Sequence, residues 1–298
     1  MAKKILLTGS SGFLGAAIAA RLAAEGHEVL GLDPALPPQD IEYRHLDDDL
    51  STEARLAAIL TEFQPDIVIH AGGVSGPMVL ADQPARIMAI NLGGSLNLLQ
   101  ASLAAGVGRF VFCSSTSAIG EFVDGPIPDD APMRPNTTYG ASKAAMDQAL
   151  AGLHGRCSTT LVSLRFTAVY GPGRRTTMPI GDIVAAALAG LSIRVPVQPP
   201  WPYVFIDDAV EATLHAALCD ASALRQLFYH IAHPELVSFR DVAAALARHG
   251  FPVQMEEDAA LPAVARGPLA VTAAERELGF RAAIDHHAGI SRMIAAAR

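Results

Sequence analysis

The chain has 298 residues, 51% of them hydrophobic and 17% charged, with a net charge of −8. That length buries a large core, as one elaborated domain or as a large and a small one, and the composition is that of an ordered globular protein. The acidic balance and the scatter of the basic residues argue against nucleic acid or an anionic membrane as main partner. Three widely spaced cysteines, Cys113, Cys157 and Cys219, match neither a disulfide framework nor a zinc site, as expected of a cytoplasmic chain.

The apolar run after Lys3 and Lys4 is cut short by Thr8 and Gly9, so no export signal is expected there. Nor is any stretch expected to be long and apolar enough to cross a bilayer. Short apolar runs at 4–8, 28–32, 66–70, 109–113 and 160–165 read as buried parallel strands. Helical patterns at 13–24, 53–62, 83–105 and 137–153 lie between them. This alternation predicts an α/β, Rossmann-like, doubly wound parallel sheet.

Past Gly171 the rhythm changes. Pro and Gly cluster at 171–173 and 196–202, around a helix near 180–190, and a further helix is expected near 207–219. A strand near 227–231 precedes a helix opening at Ser238, whose spacing to Asp241 resembles a capping box; Thr272 and Glu275 repeat that spacing before a last short helix. Residues 1–171 read as a cofactor-binding Rossmann domain. Residues 172–298 read as a smaller, interleaved substrate lobe, with the segments around 203–232 returning to the first domain.

Thr8-Gly9-Ser10-Ser11-Gly12-Phe13-Leu14-Gly15 follows the first strand and opens the first helix. Its glycines suit a tight turn, close backbone approach to a pyrophosphate and close helix–strand packing, with the helix N-terminus facing the anion. Asp33 falls directly after the second strand, where a carboxylate can accept ribose hydroxyls. No Arg or Lys follows it before Arg44, so NAD is favoured over NADP.

Tyr139 and Lys143 stand four residues apart on an expected helix and therefore share a face. A nearby ammonium lowers a phenol's pKa, so Tyr139 can act as a general base. Lys143 is the only lysine beyond position 4 in a chain with 19 arginines and three lysines. Ser114, Ser115 and Thr116 end the strand at 109–113, on the sheet edge where ligands bind, and a hydroxyl there can hold a reacting oxygen.

These features resemble the extended short-chain dehydrogenase/reductases, the NAD-dependent epimerase/dehydratase group. The resemblance is carried by Thr8–Gly15, Asp33, Asp49-Leu50, His70–Gly73, Asn91, Ser114–Gly120, Tyr139–Lys143, Leu164-Arg165, Tyr170–Gly173 and Phe205–Asp208. It implies that Asp49 and Leu50 flank the adenine and that Ala71, Gly72, Gly73 and Asn91 belong to the cofactor site. It places Phe166 and Val169 near the nicotinamide. Ser115, five residues before Gly120, is the implied catalytic hydroxyl, with Thr116 as the fallback. A homodimer built on the helices at 83–105 and 137–153 is implied as well.

Departures from the family pattern bear on the substrate. Ala168 stands where members acting on nucleotide-sugars usually carry an Asn, and Trp201 where they usually carry an Arg, which leaves a pyrophosphate poorly neutralised. Arg174 and Arg175 can clamp a smaller anion such as a carboxylate, or form a solvated pair. Trp201 can be a core or lid residue, or stack on a sugar. None of the ten histidines has a metal-ligand spacing. The reading is therefore an NAD-dependent enzyme moving hydride at a secondary alcohol carbon of a sugar, polyol or sugar acid, with a dehydrogenase favoured. A nucleotide-sugar 4-epimerase is the alternative, and a catalytically idle NAD-binding sensor or scaffold is the alternative of another class.

Overall fold

The computed structural model describes residues 1–37, 41–122 and 124–298. Seven parallel strands form the central sheet: β1 (Lys4–Thr8), β2 (Glu28–Leu32), β3 (Arg44–Leu46), β4 (Ile67–His70), β5 (Arg109–Ser115), β6 (Thr160–Phe166) and, after three strands of the smaller sheets, β10 (Phe228–Ile231). Their order is β10-β6-β5-β4-β1-β2-β3, so the winding reverses between β1 and β4. That reversal opens the crevice in which such sheets bind ligands.

The central strands are apolar without alternation because both faces are covered. One face carries α1 (Phe13–Ala24) and α7 (Ile206–Leu218), with Ile18, Leu22 and Leu214 in the core. The other carries α2 (Glu53–Phe63), the helix from α3 (Pro84–Met88) to α4 (Ser95–Ala104), and α5 (Thr138–Leu153), with Leu56, Leu98, Met146 and Leu150 inside. The pattern at 83–105 indeed forms one helix, but its middle, Ala89–Gly94, is π-helical. The 21 residues Pro84–Ala104 are long and apolar enough to cross a membrane by length and composition, which corrects the sequence expectation. Packing against α2 and α5 accounts for that apolarity equally well.

Beyond the sheet, β7 (Ala168–Tyr170), β9 (Trp201–Phe205) and β11 (Leu236–Val237) pair in the order β11-β9-β7, and β8 (Ile193–Pro196) pairs with β12 (Met255–Asp258). Helices α6 (Pro179–Ala189), α8 (Phe239–Arg248) and α9 (His286–Ala296) pack with one another beside them. One buried cluster runs from Ile5 and Leu7 through Ile183 to Val242 and Ile290, while β10 lies against β6 in the main sheet. The Ser238–Asp241 capping box is formed. Thr272 and Glu275 form none: Glu275 lies inside a π-turn at Ala274–Leu278 that has no side-chain cap, and the last helix is capped instead by Asp285.

Candidate active site

The chain leaves β1 through Gly9, at φ +76°. A Cβ there would lie 2.6 Å from the Gly72 nitrogen, and a Cβ at Gly15 would lie 2.0 Å from the Gly9 carbonyl oxygen. Both positions therefore require glycine. Gly12 is the N-cap of α1 and no side chain caps that helix. The cradle, bare of side chains and lined by N–H groups, fits a pyrophosphate. Phe13 and Leu14 pack half-buried onto the core behind it. Ser11 holds the loop, its hydroxyl donating to Ala35 O (2.8 Å) and its N–H to Asp33 Oδ2 (3.2 Å). Asp33 Oδ1 accepts the Ala35 N–H at 2.8 Å. This carboxylate thus braces the turn, and each oxygen keeps a lone pair for a ribose hydroxyl.

Across the crevice, Ala71, Gly72 and Gly73 follow β4. Gly73 has φ +127°, and a Cβ on it would lie 2.7 Å from Asn91 Oδ1. Asn91 sits in the π-turn with its amide fully engaged: Oδ1 accepts the Val74 N–H (2.7 Å), and Nδ2 donates to Val74 O and Ser142 Oγ (both 3.1 Å). It ties the glycine loop to α5 and so shapes the cofactor cleft from behind. Asp49 and Leu50 lie beyond β3. Asp49 is exposed, its carboxyl held below the usual range by hydrogen bonds from Ser51, and Leu50 packs against Gly94.

Ser115 ends β5 beside Phe166, its register partner on β6. Its Oγ accepts the Ser117 N–H at 3.1 Å, which leaves the hydroxyl proton free to donate. Ser114 pairs with Arg165 and is buried. Tyr139 lies in the first turn of α5, which is capped by Thr137. Lys143, one turn on, is 7% exposed and donates to Cys113 O at 2.8 Å; its Nζ lies 6.0 Å from the Tyr139 ring centre. Burial lowers the Lys143 ammonium to about 8. Burial also raises the Tyr139 phenol, opposed by the Ser115 hydroxyl and the charges of Arg174 and Arg266. In this geometry two arginines face the phenol electrostatically, while Lys143 is turned to a carbonyl and keeps two N–H donors free.

Behind this face α5 is locked to the sheet. Asp147 and Arg165, both fully buried, pair at 2.8 Å, Ser163 donates to Asp147 at 2.7 Å, and Arg165 also donates to Asp129 O at 2.8 Å.

The residues expected at the substrate part company. Arg174 turns inward, donating to Val169 O (2.7 Å) and Thr176 O (3.3 Å) and lying 5.7 Å from the Phe13 ring centre. Arg175 is exposed. Thr116 is buried and accepts a hydrogen bond from Arg266, a residue no motif marks. Trp201 opens β9, with the Arg266 guanidinium 5.6 Å from its ring centre. An open cavity of about 410 Å³ between the 171–178 loop, α6 and α9 is lined by Arg174 and Arg175, but neither Ser115 nor Tyr139 reaches its wall. Among the described residues no cluster of His, Cys, Asp or Glu could hold a metal.

The model of the NAD dependent epimerase/dehydratase family matches residues 5–231. The UDP-glucose 4-epimerase of Mycolicibacterium smegmatis is 28% identical over 72% of this chain and 72% of its own. The dTDP-L-rhamnose 4-epimerase of Burkholderia thailandensis is 27% identical over 83% of this chain and 81% of its own. The crystal structure of Thermus thermophilus UDP-glucose 4-epimerase in complex with NAD superposes with a TM-score of 0.85, at 27% identity over 98% of both chains.

Proposed function

This chain belongs to the NAD dependent epimerase/dehydratase family, and we propose that within it the protein is a dehydrogenase acting on a secondary alcohol of a sugar, polyol or sugar acid. What NAD supplies when bound is a hydride acceptor. Gly9, Gly12 and Gly15 with the α1 N-terminus would hold its pyrophosphate, and Asp33 its adenosine ribose. Ala71–Gly73, Phe166 and Val169 would line its cleft, and the free N–H groups of Lys143 would meet the nicotinamide ribose.

The Ser115 proton donates to the substrate oxygen and fixes it beside Tyr139. Tyr139 takes the hydroxyl proton as the carbinol C–H bond yields its hydride and the carbon becomes a carbonyl. Its phenol must be ionised for this. Arg174 and Arg266 favour the phenolate, against the burial that opposes it.

The juxtaposition of Ser115, Tyr139 and Lys143 at the carboxyl edge of β5 carries this reading. Ala168 and Trp201 support a substrate smaller than a nucleotide-sugar, because neither can neutralise a diphosphate. The 4-epimerase reading is favoured by the names of the relatives and requires the carbonyl to take its hydride back. The test follows nicotinamide absorbance with NAD and a panel of sugars, sugar acids, polyols and nucleotide-sugars. NADH that accumulates with a small substrate supports the dehydrogenase. An isomerised nucleotide-sugar without net NADH replaces it with the epimerase. Tyr139→Phe is expected to lose at least about 100-fold in kcat while still binding NAD. Equal rates in the two proteins would remove Tyr139 from the chemistry, and no turnover in either would favour a sensor.

A further inference from the structure

Arg266 reaches the site from the far end of the chain. It lies between β12 and the Ala274–Leu278 turn, in a segment stitched to the stretch after β5: Phe122 N–H donates to Ala265 O (3.1 Å), Gly267 N–H to Phe122 O (2.7 Å) and Ile127 N–H to Pro268 O (3.0 Å). The guanidinium donates from Nη1 to Thr116 Oγ1 (2.8 Å) and from Nη2 to Ser117 Oγ (3.1 Å). Those two residues follow Ser115 directly. Arg266 is 7% exposed, and its Nε is buried without a hydrogen-bond partner.

Among the described residues no carboxylate forms an ion pair with this charge. Glu121 is exposed and accepts a hydrogen bond from Asn136. Hydroxyl oxygens satisfy donors but leave the charge uncompensated, and burying an uncompensated charge is costly. The Trp201 ring offsets part of that cost from one face. What is missing is an anion for the unpaired edge, where the buried Nε–H and the second Nη2–H form the side-on fork that a carboxylate accepts in bidentate fashion.

We propose that Arg266 is the specificity residue that anchors a carboxylate of the substrate, with Thr116, Ser117 and Trp201 holding its guanidinium in place. The proposal rests on the dehydrogenase reading and narrows it to sugar acids. The carboxylate lies on the Ser115 side of Tyr139, so the oxidised carbon is close to the acid group in the substrate. One free edge and one unit of charge match a monoanion better than a phosphate dianion. Arg174 is already committed to the carbonyls of Val169 and Thr176.

The experiment measures NADH formation at saturating NAD with matched pairs: gluconate and glucitol, glucuronate and glucose, glycerate and glycerol. Glucose 6-phosphate and UDP-glucose serve as the phosphate and diphosphate arms. The wild type is expected to prefer an acid to its neutral partner by about 100-fold in kcat/KM, chiefly through KM, and Arg266→Gln to cut that preference below about tenfold. Arg266→Lys restores part of it, because a point charge replaces the fork. NAD titration of each variant confirms that the fold and cleft persist.

Equal losses for both members of a pair, with the acidic limb of the pH profile, where the Tyr139 phenolate takes up its proton, moved upward, would overturn the proposal and make Arg266 a group that tunes Tyr139. A wild-type preference for either phosphate compound, abolished in Arg266→Gln, overturns it in favour of a phosphate anchor. Absence of turnover with every compound is failure of the dehydrogenase reading. Calorimetric titration of the NAD-loaded protein with gluconate and glucuronate then decides the anchor by itself. Binding lost in Arg266→Gln keeps it, and no binding in the wild type removes it.

Discussion

At the scale of single residues, His70 shows how the crevice is tied together and at what pH it fails. Its Nδ1 shares a hydrogen bond with Thr8 Oγ1 (2.7 Å) and its Nε2 one with Ser95 Oγ (2.6 Å), and Ser95 donates to Asn91 O. Because the Ser95 proton is committed, Nε2 carries the hydrogen and Nδ1 accepts from Thr8. The ring thus joins the ends of β1 and β4 to the π-turn. Burial lowers its pKa from 6.5 to about 3. Between those values the unfolded chain binds a proton that the folded one does not, so stability present above pH 6.5 drains away as pH falls towards 3. In melts from pH 7 to 4, about the range in which a free imidazole titrates, His70→Asn is expected to lose Tm less steeply than the wild type. An unchanged slope would place the acid sensitivity elsewhere, for instance at His230, which burial also lowers to about 3. The placement of Tyr139 and Lys143 on one helix and of Ser115 at a strand end was legible because it depends on local spacing. Arg266 was not, because its meaning comes from contacts with Thr116 and Ser117 about 150 positions away.

At the scale of elements, the site depends on the fixed rotation of α5. That helix presents Tyr139 and Lys143 on one side, and Asp147 beneath them joins Arg165 on β6 with both side chains fully buried. Breaking such a pair leaves a charge buried alone, whereas replacing both partners by apolar groups can be nearly neutral. Arg165→Met is therefore expected to lose about 3–5 kcal/mol in urea denaturation, and Arg165→Met with Asp147→Leu to recover most of that loss. A double variant as unstable as the single one would show that the loss comes from the other Arg165 bonds, to Asp129 O and over the Phe228 ring. The sequence marked Leu164-Arg165 only through resemblance; periodicity offers no sign that a charged residue lies inside a strand. The five longer central strands were readable as apolar runs. Arg44–Leu46, Ala168–Tyr170 and Met255–Asp258 were not, being too short or too polar to differ from loop, and they exist because a neighbouring strand supplies their register. The π-turn escaped for a related reason. Its apolar pattern continues that of the helix around it, and only the Asn91 bonds to Val74 and Ser142 distinguish it.

For the whole molecule, the remaining expectation is the homodimer. Opposite Tyr139 and Lys143, α5 leaves Ala141, Ala145 and Ala149 half-buried and Gln148 and Gly152 exposed. This face is small-sided, and a Cβ at Gly152 would meet nothing within 4 Å. On the neighbouring helix Ile90 and Leu96 are each 38% exposed. Small residues on one helix allow the close interaxial approach of about 8–10 Å that a tight helix pair needs. A two-fold axis through this face would set α5 against its copy. Sedimentation equilibrium is expected to give a dimer for the wild type and a monomer for Ala145→Glu, whose buried carboxylates would oppose each other across the axis. A monomeric wild type would leave Ala145 on an ordinary surface. If the dimer forms, the consequence reaches the chemistry, since the helix that the partner braces is the one carrying Tyr139. Ala145→Glu should then reduce kcat through mobility of α5 while leaving the acid-to-neutral preference proposed for Arg266 in place, because that arginine is held by Thr116 and Ser117 in the turn after β5 and not by the dimer face.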